Sequence, residues 1–171
     1  GFIQDSIEVS DDIVISLGSK FEDGDLSGSN FQPGARISYT LNEQNIFWGA
    51  YSRAHRQASL VEQYTKVSYA RVWDPVNSIW INQSFSGDPS TNDEKMDAYE
   101  LGWRMRPNAD LLIELSLYHY DTKDAVFSGP PIYSTSDVKT TGGELTFDYH
   151  ASDTWHLEGG YSYSRGKKDG E

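Results

Sequence analysis

The chain has 171 residues, no cysteine, and 26 acidic against 14 basic side chains, a formal net charge of −12. This balance argues against nucleic acid, which needs clustered Lys and Arg, and the missing cysteines exclude a disulfide scaffold, Cys-ligated zinc and a thiol nucleophile. Mean hydropathy is −0.62 and no run approaches the roughly 20 apolar residues of a membrane-crossing helix, yet 13% of the residues are aromatic, too many for a disordered acidic chain.

Taken in chain order, the segments repeat with period two. After a partial strand at the start, Ile13, Ile15, Leu17 and Phe21 alternate with Val14, Ser16, Lys20 and Glu22. Phe31, Pro33, Ala35, Ile37, Tyr39 and Leu41 alternate with Gln32, Gly34, Arg36, Ser38 and Thr40. Tyr99, Leu101, Trp103 and Met105 follow the same rule, as do Leu111, Ile113, Leu115 and Leu117. Leu145, Phe147 and Tyr149 come next, and Trp155, Leu157, Tyr161 and Tyr163 close the series. Successive strand side chains point to opposite faces, so each segment presents one apolar and one polar face. No stretch shows sustained helical periodicity. The expected fold is all-β, an antiparallel up-and-down meander of about eight long strands of roughly ten to thirteen residues.

The connections alternate in length. Ser10-Asp11-Asp12, Asn42-Glu43-Gln44-Asn45, Pro107-Asn108-Ala109-Asp110 and Ala151-Ser152-Asp153-Thr154 are turn sequences. The stretches from Asp23 to Asn30, Arg53 to about Asp93, and Lys123 to about Asp137 are expected to be longer connections at the other end. Short turns on one side and long loops on the other suit an outer-membrane barrel, as do strands longer than the five or six residues usual in soluble sheets. Tyr39, Trp48, Trp103, Tyr149 and Trp155 lie near the short turns, where an interfacial aromatic girdle is expected. The polar face carries Arg36, Glu100, Arg104, Glu114, Glu144, Asp148 and Glu158, which fits a wide wet lumen. The other reading of the same pattern is a soluble sandwich or barrel with the apolar face turned inward.

Particular residues narrow this. Phe2-Ile3-Gln4-Asp5 followed by Leu17-Gly18-Ser19-Lys20-Phe21-Glu22, then Gln32-Pro33-Gly34-Ala35-Arg36, are followed by Phe47-Trp48-Gly49-Ala50-Tyr51-Ser52-Arg53-Ala54. Tyr99-Glu100-Leu101-Gly102-Trp103-Arg104 and Gly143-Glu144-Leu145 complete the series. In that order they resemble strands from the middle of the barrel of a TonB-dependent outer-membrane receptor. The family's usual T-P-S step after the W-x-x-x-S-R-A strand is here Gln57-Ala58-Ser59. The resemblance implies a parent barrel of about 22 strands around an N-terminal plug. Residues 1–171 would then be one partial barrel segment, and the chain an excised or mature piece without a signal peptide. It further implies residence in the outer membrane of a Gram-negative bacterium, contact with its lipid, uptake of a scarce nutrient such as a ferric siderophore or other iron chelate, and coupling through the plug to TonB.

No motif calls for a cofactor or a catalytic group, so neither is expected. Ser52 and Ser59 near His55 do not make a triad, and there is no G-x-S-x-G elbow or P-loop. His150 and His156 flank one short turn; solvated polar-face roles are expected for them rather than metal binding. Glu22-Asp23-Gly24-Asp25 lacks the full calcium-loop pattern and is expected to be a hydrated loop. The candidate ligand site is the long external connection at about 53–93, which is more basic than the rest of the chain. Its candidate residues are Arg53, His55, Arg56, Tyr64, Tyr69, Arg71, Trp73 and Trp80, cations and rings that together suit an anionic chelate. Lys66 to Trp73 and Ile79 to Phe85 are themselves strand-like, so a projecting hairpin is expected within it. Two other functions fit the pattern: a small self-contained outer-membrane barrel with an adhesive or structural role, and a soluble β-domain that binds carbohydrate on its Trp and Tyr.

Overall fold

The computed structural model describes residues 1–24, 28–129 and 132–169, and at 69, 85, 128, 129 and 132–134 the backbone alone. Its strands are β1 (Phe2–Ser10), β2 (Ile13–Gly24), β3 (Gly28–Asn42) and β4 (Asn45–Arg56), then a short helix α1 (Leu60–Tyr64). After it come β5 (Lys66–Asp74), β6 (Ile79–Ser86), β7 (Glu94–Asn108), β8 (Leu111–Gly129), β9 (Ile132–Ser152) and β10 (Trp155–Lys168). β1 to β4 and β7 to β10 form one continuous antiparallel meander, the eight-stranded sheet that the alternation predicts. β5 and β6 form a separate hairpin that reaches the sheet through one parallel pairing, Ser86 with Ile132.

All four short turns form at one end, closing with the pairs Ser10–Ile13, Asn42–Asn45, Asn108–Leu111 and Ser152–Trp155. Side-chain oxygens build these turns: Asn42 Oδ1 accepts from the Gln44 N–H at 3.0 Å, and Asn108 Oδ1 accepts from those of Asp110 and Leu111 at 3.0 Å each. Beside every turn the register shifts by a bulge, which adds twist where the strands begin.

Register converts sequence alternation into rows across the sheet. One row runs Ile15, Ile37, Gly49, Leu101, Leu117, Gly143 and Tyr163; the next runs Ile13, Tyr39, Phe47, Trp103, Leu115, Leu145 and Tyr161. No second layer covers this face among the described residues. Leu101 is 63% exposed and Phe31 also 63%, while among the described residues the buried apolar ones are Ala58 and Ala98. A water-soluble sheet would cover such a surface, since exposed apolar patches beyond a few hundred Å² mark an interaction surface.

Three expectations are corrected. The connection expected from Lys123 to Asp137 is instead a continuation of the ladder, with β8 extending to Gly129 and β9 starting at Ile132. A bulge between Thr122 and Ala125, with Asp124 at φ 53°, breaks the alternation there and makes the sequence read as a loop. Lys123 Nζ lies 2.7 Å from Asp137 Oδ2, and the Asp124 N–H donates to Asp137 Oδ1 at 3.2 Å, bridging the bulge. The stretch from Asp23 to Asn30 is also strand as far as Gly24 and again from Gly28; Asp25 lies outside the described residues. Trp48 does not join the girdle: it pairs with Ser38 and Gly102 on the polar face, where Arg36 Cζ sits 4.2 Å from its ring, because its even position has the opposite parity to Tyr39, Trp103 and Tyr149. The approach is close enough that a Cβ on Gly102 would fall 2.1 Å from the indole, so only glycine fits there.

Candidate functional site

The connection between β4 and β7 has a cross-braced base. Ser59 caps α1 in a reciprocal capping box, its Oγ accepting from the Glu62 N–H at 3.2 Å while its own N–H donates to Glu62 Oε2 at 2.7 Å. Ser59-x-x-Glu62 is the sequence signal for this helix, too short at five residues to show a period. The Arg56 guanidinium then spans two carboxylates, 3.1 Å from Glu62 and 3.1 Å from Glu94. Partial burial works against the Glu62 charge, but the bonds from Ser59 and Arg56 outweigh it and hold its carboxyl below the usual range. Asp93 accepts from the Ala58 N–H at 2.9 Å, and His55 Nε2 lies 3.3 Å from the same carboxylate without the alignment of a hydrogen bond. Gly87 docks its N–H on the Thr65 carbonyl at 2.6 Å, and a Cβ there would strike the Glu62 backbone at 2.6 Å.

Arg53 has another setting. It makes two bonds to Asp97, 2.8 Å from Nε and 2.9 Å from Nη2, and Tyr51 donates to the same carboxylate at 2.7 Å. By register, Arg53, Asp97, Asp121 and Lys139 form a charged row on the apolar face, just beyond the row of Tyr51, Tyr99 and His119. On β8 the apolar rows are Leu111, Ile113, Leu115 and Leu117. At about 6.6 Å per two-residue step these four rows span roughly 20 Å along the strand, and the aromatic row at His119 carries the face to roughly 26 Å before the charged row begins.

The hairpin carries the remaining candidates. Asp74 accepts from the Val76 and Asn77 N–H groups and from the Asn77 side chain at 2.7 Å, tying the tip at residues 75–78. Those bonds, the Asn77 side chain first, hold the Asp74 carboxyl below its ordinary value. Trp73 and Trp80 face each other across the hairpin, ring centres 5.5 Å apart and edge to face, with Arg71 Cζ 5.7 Å from the Trp80 ring. Tyr64 is exposed at the end of α1, and the side chain of Tyr69 lies outside the described residues. The seven candidates whose side chains are described therefore do not converge on one pocket. Arg53, His55 and Arg56 sit against carboxylates at the base, whereas Arg71, Trp73 and Trp80 form a cation–aromatic group with no carboxylate in contact among the described residues.

Two polar-face groups are legible in sequence only as alternate positions. Tyr118 and Tyr120 stack at 4.8 Å beside Trp48 and Glu100, and the Tyr120 hydroxyl donates to Glu100 at 3.0 Å. Near the β9–β10 turn, His150 and His156 stack at 4.1 Å beside Asp148.

The sequence matches the family described as "TonB dependent receptor-like, beta-barrel" over residues 1–171. The chain belongs to this family. It is 24% identical over 142 residues to a protein of Acinetobacter baumannii named as the probable TonB-dependent siderophore receptor PirA, covering 82% of this chain and 19% of that one. The chain thus spans about a fifth of the length of that curated relative. Its fold is that of the crystal structure of the siderophore receptor PirA from Pseudomonas aeruginosa, with a TM-score of 0.78 at 16% identity over 98% of this chain and 34% of that one. The PirA structure from Acinetobacter baumannii aligns with a TM-score of 0.75 at 20% identity, over 95% and 27% of the two chains. TonB-dependent receptors are transporters, and the eight-stranded meander is a stretch of their barrel wall.

Proposed function

We propose that this chain is a partial barrel wall of a receptor in the Gram-negative outer membrane that takes up a ferric siderophore. The observation that carries the reading is the uncovered apolar and aromatic face, roughly 26 Å long along β8 and closed at one edge by the Arg53–Asp97–Asp121–Lys139 row, in a sheet that belongs to this family. The names of its relatives support the siderophore. On this reading the four two-residue turns face the periplasm, and the connection at about 53–93 projects outside. The polar face lines the lumen, where the parent's plug would sit and pass energy from TonB.

Within the external connection, Arg71, Trp73 and Trp80 meet the ligand, because their cation and rings are free to take up an anionic aromatic chelate. Tyr64, and Tyr69 of the same connection, add rings, whereas Arg53, His55 and Arg56 hold the connection upright through Asp97, Asp93, Glu62 and Glu94. The test is iron-limited growth of a strain lacking the full gene on a panel of ferric chelates. Growth is expected to fail on at least one and return with the wild-type gene; unaffected growth on every chelate overturns the iron reading.

A further inference from the structure

We propose that Asp148, His150, His156 and Glu158 form a binding site for a divalent transition-metal ion such as Zn²⁺, on the polar face beside the β9–β10 turn. The site is independent of the siderophore reading, and none of its residues belongs to the external connection. Register builds it: His150 pairs with His156 and Asp148 with Glu158, two adjacent cross-strand pairs whose side chains share one face. The imidazoles stack at 4.1 Å and 10°. His156 Nε2 lies 2.9 Å and His150 Nε2 3.5 Å from the same oxygen, Asp148 Oδ1, and His156 Nε2 lies 3.3 Å from Glu158 Oε1.

These three separations, 2.9–3.5 Å, are close to the edge length of a coordination tetrahedron. Metal–ligand bonds of about 2.0–2.1 Å at tetrahedral angles set donor atoms about 3.3 Å apart. The ligand atoms of Asp148, His150 and His156 all lie within 4.8 Å of one another, so small side-chain rotations close the site. A proton satisfies only part of this arrangement: His156 Nε2 and Asp148 Oδ1 form a hydrogen bond at 2.9 Å, but His150 Nε2 faces the same oxygen at 3.5 Å, too long for a good hydrogen bond. With both imidazoles neutral the four groups carry two negative charges, and no Lys or Arg is paired with Asp148 or Glu158 among the described residues. Two imidazoles and two carboxylates suit zinc and its neighbours rather than calcium or magnesium, which prefer oxygen alone. The bound ion would pin β9 to β10 at their shared turn.

The experiment uses the full-length receptor in detergent micelles, titrated with ZnCl₂ against a chromogenic zinc chelator. The wild type is expected to take up one equivalent that His150→Gln or His156→Gln removes and Asp148→Asn weakens by on the order of tenfold or more. His119→Gln, on the other face, leaves uptake unchanged. Heat-modifiable gel mobility checks that each variant is a folded barrel. With Cu²⁺ as the probe, the electron paramagnetic resonance spectrum of the wild type is expected to show coupling to two ring nitrogens, a signal lost in His156→Gln. A wild type that binds no zinc, or folded His150 and His156 variants that bind it as the wild type does, overturns the site.

Discussion

The eight-stranded sheet and the β5–β6 hairpin are made of the same kind of strand but are held in different ways. In the sheet, strands β2 to β4 and β7 to β9 each have a partner on both sides, so most of their residues have a row and a face. The hairpin has its own ladder, one bridge to β9, and a base fastened by a capping box and an arginine between two glutamates. On the proposed reading the sheet is a wall in lipid, where every backbone group must be satisfied by a neighbour. On the same reading the connection reaches into water and needs only a firm root, so its tip can vary without disturbing the wall.

The sharpest way to break the contrast is a charge in the middle of the apolar face. Leu101→Arg or Leu117→Arg is expected to cost about 2–4 kcal/mol and to deplete the folded receptor, read by urea unfolding in lipid vesicles. If either variant assembles with wild-type stability, that face does not meet lipid. On the other face, Gly102→Val forces its branched side chain into the Trp48 ring and is expected to cost about 1–3 kcal/mol in the same assay.

The hairpin is expected to respond oppositely. Arg71→Ala with Trp80→Ala removes a cation–aromatic pair and is expected to weaken ligand affinity about tenfold while leaving urea unfolding unchanged, a split that binding titrations would detect. At its root, Ser59→Ala is expected to cost about 1 kcal/mol of local stability, seen as faster hydrogen exchange at residues 57–65 with the sheet unaffected.

The smallest effect is that of pH. Because the Glu62 carboxyl is held below its ordinary range, its contribution is fully present above about pH 4.3 and fades as the pH falls through the lowered value. Exchange in α1, corrected for intrinsic rate, is expected to rise near pH 3 relative to pH 6. Protection that stays flat across that interval would remove Glu62 from the fastening.

Much of the wall was legible in the residues. Ile37, Leu101 and Leu117 sit at alternating positions that needed no partner to be recognised, and Asn42 and Asn108 announced their turns. The hairpin was legible too, because Asp74-Pro75-Val76-Asn77 separates two strand-like runs. The length of β8 and β9 was not, since outside an apolar environment neither face must be greasy and the Asp124 bulge resets the alternation. Nor was the division of the ligand candidates: Arg53 and Arg71 look equally available in sequence, and only Asp97, 44 positions away, neutralises the first.

The sequence by itself determined the period-two faces, the trimmed turns and the family, because all three are written in residues close together along the chain. Tertiary structure decided what stands beside what. Register across the sheet put Trp48 under Arg36, closed the charged row beyond the aromatic residues, and brought His150 and His156 onto one carboxylate. Those neighbours are fixed by backbone hydrogen bonds between strands, and a slip of one residue would send every one of these side chains to the opposite face.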